Sequence, residues 1–256
     1  MDVDFQNQSG NLIQFSLIIP CKDEQETIGT IISLGLRELP SVTEVIVVVG
    51  NSIDKTFENA SQIVIPSGNS LEKKLKVIKQ HSLGKWNGVV QGIEASSNKH
   101  IAIWDADLTV TLLDQRKLLN KYESSYNLSN QPCLVSGNRM KYQEIGAMKF
   151  LNFIGNSVFI KVWGLLGGRF IPDLLCGSKV FTKEIIASPY TKLHRFDSYG
   201  DLIIFSSALD KNADILFEDV FYKKRNFGKS KMKSFRTGIK FMVFTFVYFF
   251  RRSFKT

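Results

Sequence analysis

Cysteine and histidine are few and scattered in this chain of 256 residues. Cys21, Cys133 and Cys176 are odd in number and far apart. No pair has the spacing of a zinc knuckle or a redox motif, which argues against a disulfide framework and a thiolate metal site. They read as reduced, buried thiols of a cytoplasmic protein. His81, His100 and His194 are equally dispersed, so no His-based metal centre is expected. The N-terminal stretch 1–11 is polar and lacks the apolar core of a signal segment. The sequons at Asn7, Asn59 and Asn127 therefore read as chance matches. No apolar run reaches the about 20 residues that span a bilayer. The most apolar stretch, 238–250, is shorter and is interrupted by Lys240. Neither an internal repeat nor a linker is visible.

Apolar residues make up 44% and charged residues 22%, the composition of a chain that can build a full core. The formal charge is +9, from 33 basic and 24 acidic residues. That excess suggests an anionic partner: a nucleotide, a phospholipid surface or a nucleic acid. It is concentrated late, in 223–233 and 251–255. Nucleic acid ranks last, because the basic run lacks a recognisable reading module.

Strands and helices alternate in the first half. Phe15–Pro20 is a buried strand stopped by proline. Residues 23–27 open a helix whose early acids suit the helix dipole and whose apolar face is Ile28, Ile31, Ile32 and Leu36. Residues 44–49 form a second buried strand, running into the turn Gly50-Asn51-Ser52-Ile53-Asp54-Lys55-Thr56 and another helix. A short third strand is expected at 63–65. Gly84-Lys85-Trp86-Asn87-Gly88 precedes a further helix. Strand-helix-strand units with short joints predict parallel, right-handed crossovers and an α/β fold. In such sheets ligands sit beyond the carboxyl ends of the strands. The second half is read as a helix at 112–124, a strand at 133–137 leading to Asn138-Arg139, and a long helix at 149–166. A turn then leads from Asp173 into a strand ending at Phe181. Asp197, Gly200 and Asp201 stand at the head of a helix, and a strand spans 215–222.

The stretch Ile101-Ala102-Ile103-Trp104-Asp105-Ala106-Asp107 is a buried strand ending in two carboxylates. With one residue between them, two carboxylates can face one side and share a divalent cation. Hard oxygen ligands favour Mg²⁺ or Mn²⁺. Taken alone, Asp-x-Asp is short and common, and equals ordinary turn chemistry.

Five segments in order change that weighting: Ile18-Ile19-Pro20-Cys21-Lys22-Asp23-Glu24, Gly50–Thr56, Gly84–Val89, Asp105-Ala106-Asp107-Leu108-Thr109 and Asp173-Leu174-Leu175-Cys176-Gly177. Together they resemble the family 2 glycosyltransferases, and most of all the branch of dolichyl-phosphate mannosyltransferase and bacterial polyprenyl-phosphate sugar transferases. The resemblance covers 15–235 and implies the GT-A fold, with a mostly parallel central sheet flanked by helices. It divides the chain into a tail at 1–13 and one domain at 14–237. Within that domain 14–110 is the nucleotide-binding half and 111–237 the acceptor half. An apolar and basic helix at 238–256 follows.

The same resemblance implies a nucleotide-sugar donor, UDP- or GDP-linked, and a lipid-phosphate or saccharide acceptor. Pro20, Glu24 and Asn51 would line the nucleotide pocket, with Lys85 near the phosphates. Asp105 and Asp107 would hold Mg²⁺ or Mn²⁺ and the diphosphate, Asp107 as the direct ligand. Arg139 would approach the diphosphate or an acceptor phosphate, and Asp173 would lie near the reacting centre. Arg225 and Lys231 belong to a segment that resembles the family's Arg-x-x-Gly-x-Ser-Lys run, which closes over phosphates. Val49 stands where members often carry a base-reading acid, Trp86 where many have glycine, and Val90 where arginine is frequent. These departures leave the donor base open.

The implied reaction is inverting, metal-dependent glycosyl transfer, in cell-envelope or surface polysaccharide and glycolipid synthesis. A hydroxyl acceptor would need a carboxylate base, for which Asp173 and Asp201 are candidates; Asp201 fits equally as a helix-start acid. A lipid phosphate is already ionised and needs none. The helix at 238–250 is read either as an interfacial helix or as one packed in the core or a homodimer. The interfacial reading puts Arg251, Arg252 and Lys255 toward headgroups and makes 223–256 a peripheral contact on the inner membrane face. Two further readings stay open: a catalytically silent membrane-surface scaffold, and a sugar nucleotidyltransferase. The latter usually shows a Gly-rich loop ending in Arg and Lys, which does not follow Phe15–Ile19.

Overall fold

The computed structural model describes residues 13–65, 72–148, 150–187, 192–227 and 234–254. Seven strands form a single sheet: β1 (Phe15–Cys21), β2 (Val42–Val49), β3 (Lys74–Lys79), β4 (His100–Ile103), β5 (Cys133–Gln143), β6 (Lys179–Thr182) and β7 (Asp214–Tyr222). Their order is β3-β2-β1-β4-β6-β5-β7. The ladders from β3 through β4 are parallel, β6 runs antiparallel to β4 and β5, and β5 and β7 are parallel. The expected mostly parallel sheet is therefore present.

The helices are α1 (Ile28–Glu38), α2 (Thr56–Ser61), α3 (Lys85–Ala95), α4 (Leu112–Ser129), α5 (Phe150–Gly167), α6 (Asp201–Asp210) and α7 (Ser234–Ser253). Because strand side chains alternate between faces, β1 feeds two cores. Leu17 and Ile19 join Ile31, Ile32 and Leu36 of α1 and Leu118 of α4 on one face. Ile18 meets Val89 and Ile93 of α3 on the other, where α5, α6 and α7 also pack. The three cysteines are buried thiols, none of them in a disulfide. His100 is structural: its Nδ1 lies 2.8 Å from the Tyr122 hydroxyl, and burial pushes its pKa down to about 4.

Strand β5 runs past its expected end to Gln143, taking in Asn138 and Arg139, and α4 runs on to Ser129; two further boundaries differ from expectation. Residues 63–65 are irregular, with Val64 82% exposed, and the third strand lies at Lys74–Lys79. There Leu75 and Val77 pack on one core and Ile78 on the other, while the alternating lysines blunt a sheet edge. Asp23 and Glu24 also precede α1, whose first turn carries no acid. Asp23 has φ +48° and its carboxylate accepts the Ile53 N–H at 2.9 Å, so it braces the neighbouring loop.

Candidate functional site

Four loops at the carboxyl ends of β1 to β4 enclose a cleft of about 560 Å³. The loops after β1 and β2 are laced together before any ligand is considered. The Asp23 N–H donates to Ser52 Oγ at 3.0 Å, and the Glu24 N–H to Thr56 Oγ1 at 2.8 Å. This fixes one wall, with Pro20, Glu24 and Asn51 on it. The loop after β3 and the start of α3 supply the opposite wall, including Gln80 and Lys85. Asp105 and Asp107 form the floor beyond β4, and Arg225 reaches in from beyond β7.

Charges in the cleft are paired across elements. Lys85 Nζ lies 2.5 Å from Asp105 Oδ1, with 23% and 31% of their side-chain surfaces still open. Arg225 bridges Asp107 at 2.5 Å and Glu24 at 3.1 Å. Burial opposes the Lys85 charge, but Asp105 and then Asp201 outweigh it and raise its pKa. Burial likewise opposes ionisation of Asp105, and Lys85, Lys179 and Arg139 hold its pKa below the usual carboxylate range. Asp107 is oriented by its own turn: Oδ1 accepts Thr109 Oγ1 at 2.8 Å and the Thr109 N–H at 3.1 Å, with Leu108 at φ +55°.

Asp105 and Asp107 fit a hard divalent cation, being carboxylates at one end of the cleft with oxygens within reach of cationic groups. No cluster of three or more His, Cys, Asp or Glu occurs among the described residues. Such a cation would draw its remaining ligands from phosphate and water, the habit of Mg²⁺ rather than of a caged structural metal. Gly177 backs onto this spot, where an added Cβ would fall on Asp105 Oδ2 and 2.7 Å from Lys85 Nζ.

Arg139 and Asp173 stand behind the floor. The Arg139 guanidinium donates twice to Asp173, at 2.8 and 3.0 Å, and Asp173 also accepts the Arg139 N–H, the Leu175 N–H and Asn156 Nδ2. Burial pushes the Asp173 pKa up, but Arg139 and these bonds overcome it and leave it lowered. A fully buried carboxylate so engaged is a poor proton acceptor. In this structure Asp173 holds the Arg139 guanidinium in place. Asp173→Ala leaves a buried guanidinium without its partner and is expected to cost roughly 3–5 kcal/mol of stability. Urea denaturation measures this, and a cost below about 1 kcal/mol would show that Arg139 finds water instead.

Asp201 lies at the start of α6, 2.6 Å from the fully buried Lys179, which also donates to the Cys176 carbonyl. Lys179 escaped the sequence reading. Its signal was a lysine beside Val180 and Phe181 in a buried strand, which needs an internal carboxylate. Asp197 is a capping residue, accepting N–H groups from Tyr199, Gly200, Leu202 and Ile203. Trp86 also has a structural reason. It is buried against Gly200, which has φ +90° and where any Cβ would fall on the indole. Lys231 lies outside the described residues.

A parallel half-sheet with a charged cleft at its carboxyl ends, continued through an antiparallel β6, is the architecture of the GT-A glycosyltransferases. Residues 16–172 match the profile of glycosyl transferase family 2, and the chain belongs to that family. It is 27% identical over 169 residues to glycosyltransferase AglJ of Haloferax volcanii, covering 66% of this chain and 50% of that protein. It is 26% identical over 192 residues to human dolichyl-phosphate beta-glucosyltransferase, covering 71% of this chain and 58% of that protein. The chain thus spans half to three-fifths of the curated relatives it matches. In fold it resembles glucosyl-3-phosphoglycerate synthase from Mycobacterium tuberculosis, solved with Mn²⁺, UDP and phosphoglyceric acid. That likeness has a TM-score of 0.67 at 15% identity, over 93% of this chain and 78% of the other. The same enzyme with Mg²⁺ and UDP gives 0.65 at 16%, over 91% and 79%.

Proposed function

We propose that this chain is an inverting, metal-dependent glycosyltransferase that moves a sugar from a nucleotide-sugar donor to a phosphate-bearing lipid. The observation that carries the reading is the cleft itself, where Glu24, Lys85, Asp105, Asp107 and Arg225 converge at the strand ends. UDP-glucose is the first donor to try, because the structural neighbours were solved with UDP or UDP-glucose; GDP-sugars are the second.

Asp105 and Asp107 would hold Mg²⁺ or Mn²⁺, which when bound supplies Lewis-acid stabilisation of the departing diphosphate. Lys85 and Arg225 add positive charge at that end of the cleft, on side chains already oriented by the two carboxylates. Pro20, Glu24 and Asn51 line the part of the cleft where the nucleoside would lie. Arg139, held rigid by Asp173, contributes field at the floor. Both expected base candidates are engaged with cations, Asp173 with Arg139 and Asp201 with Lys179. That favours a phosphate over a saccharide hydroxyl, since an ionised phosphate attacks without a base. The human relative is named for dolichyl phosphate, and the phosphoglyceric acid in the neighbour also contains a phosphate. The setting proposed is the inner membrane face, in glycolipid or surface-polysaccharide synthesis.

The test is transfer of labelled sugar from UDP-glucose or GDP-mannose to a polyprenyl phosphate, with Mn²⁺. Labelled lipid is expected. Label passing only to a saccharide would refute the phosphate acceptor, and absence of transfer with any donor would favour a silent scaffold.

A further inference from the structure

Helices α5 and α7 each have two apolar faces, and among the described residues only one of them is covered. They pack on each other through an inner stripe. Trp163 stacks on Tyr248 with ring centroids 5.2 Å apart, Phe159 meets Phe241 edge-on, and Trp163 Nε1 donates to Thr245 Oγ1 at 2.9 Å. The outer stripes recur at helical spacing: Phe150, Ile154, Val158 and Leu165 on α5, and Ile239, Met242, Phe246 and Phe250 on α7. Leu165 is 84% exposed and Phe246 71%. Apolar surface of this extent, on two adjacent helices, marks a face meant for another medium.

We propose that α5 and α7 together form a docking face for an anionic lipid leaflet. Charge selects that occupant. The two helices carry Lys161, Arg236, Lys240, Arg251 and Arg252 and no Asp or Glu. A second copy would meet this face with the same uncompensated positive charge, whereas anionic headgroups neutralise it. No helix among the described residues is long and apolar enough to cross a membrane, so the pair lies in the interface rather than through it.

Both helices also touch residues that line or back the cleft. Asn156 of α5 donates to Asp173, the carboxylate that holds Arg139. Thr237 of α7 lies beside Tyr199, which lines the cleft. Docking would thus set the cleft beside the headgroup layer, where an amphiphilic phosphate enters. The proposal rests on the lipid-phosphate reading for this route, while docking itself is measurable without donor or acceptor.

The experiment is flotation of the full chain with phosphatidylcholine vesicles, with and without phosphatidylglycerol. The chain is expected to float with the anionic vesicles and to be released by salt. Val158→Glu combined with Phe246→Glu, both at exposed positions, should abolish flotation while UDP-glucose binding is kept. Lys240→Ala and Arg251→Ala should each weaken partition roughly fivefold. Failure of the wild type to float, or undiminished flotation of the double variant, would overturn the proposal. So would light scattering that shows a dimer dispersed by the double variant with no effect of lipid, since the occupant would then be a second copy. Flotation without any donor binding would sustain the docking face and refute the transferase.

Discussion

Asp107→Asn is expected to lower kcat/KM by on the order of 10²–10³-fold, with the fold intact. The substitution keeps the oxygen that accepts from Thr109, so the turn after β4 should persist. What disappears is the negative charge facing Arg225. An amide is a weak ligand for a hard divalent cation, and Arg225 would lose one of its two carboxylate partners. The pair is largely buried, but Asn keeps a polar group there and Arg225 keeps Glu24 as a partner, so the stability cost should be about 2 kcal/mol. Turnover of labelled donor, beside thermal unfolding of the same preparation, separates the two effects. A tenfold or smaller loss in a folded variant would mean that Asp107 does not hold the diphosphate end.

Gly177→Ala should likewise damage the site far more than the fold. The backbone at Gly177 is not in the left-handed region, and the obstruction is the tip of Asp105 and the Lys85 ammonium. Side-chain ends can swing away, so unfolding free energy should change by about 1 kcal/mol. Moving them displaces the charged pair from the cleft floor. A shift near 1 Å in such a group costs roughly 10²-fold in rate. Stability within that margin and a large loss of turnover are the expected pair of results. Undisturbed turnover would show that Asp105 and Lys85 re-form their contact elsewhere.

Much of this architecture was legible in residue order. Buried strands announce themselves as continuous apolar runs, so β1, β2 and β4 were placed close to their true bounds. The carboxylates after β4 followed at once. Alternation hid β3, because Lys74-Leu75-Lys76-Val77-Ile78-Lys79 is an edge strand whose lysines dilute the apolar signal that 63–65 seemed to supply. Asp23 and Glu24 looked like helix-start acids, since helix dipole and loop bracing use the same residue types. Only the hydrogen bonds to the loop after β2 tell them apart. Pairings between distant segments were out of reach. Lys179 with Asp201, Asn156 with Asp173 and Gly177 beneath Asp105 depend on strand order, and the antiparallel insertion of β6 brings them together. The second apolar face of α5 was hidden for a different reason. A helix apolar on two sides has no single periodic stripe to betray which one the fold covers.

The most direct test of the account is calorimetric titration of the wild-type chain with UDP-glucose and with GDP-mannose, in Mn²⁺ and again in EDTA. The account predicts saturable binding of one donor in Mn²⁺, at least tenfold weaker in EDTA and equally weakened by Asp107→Asn. Equal affinity with and without the metal, or binding untouched by the substitution, would contradict the assignment of Asp105 and Asp107 as the metal and diphosphate site.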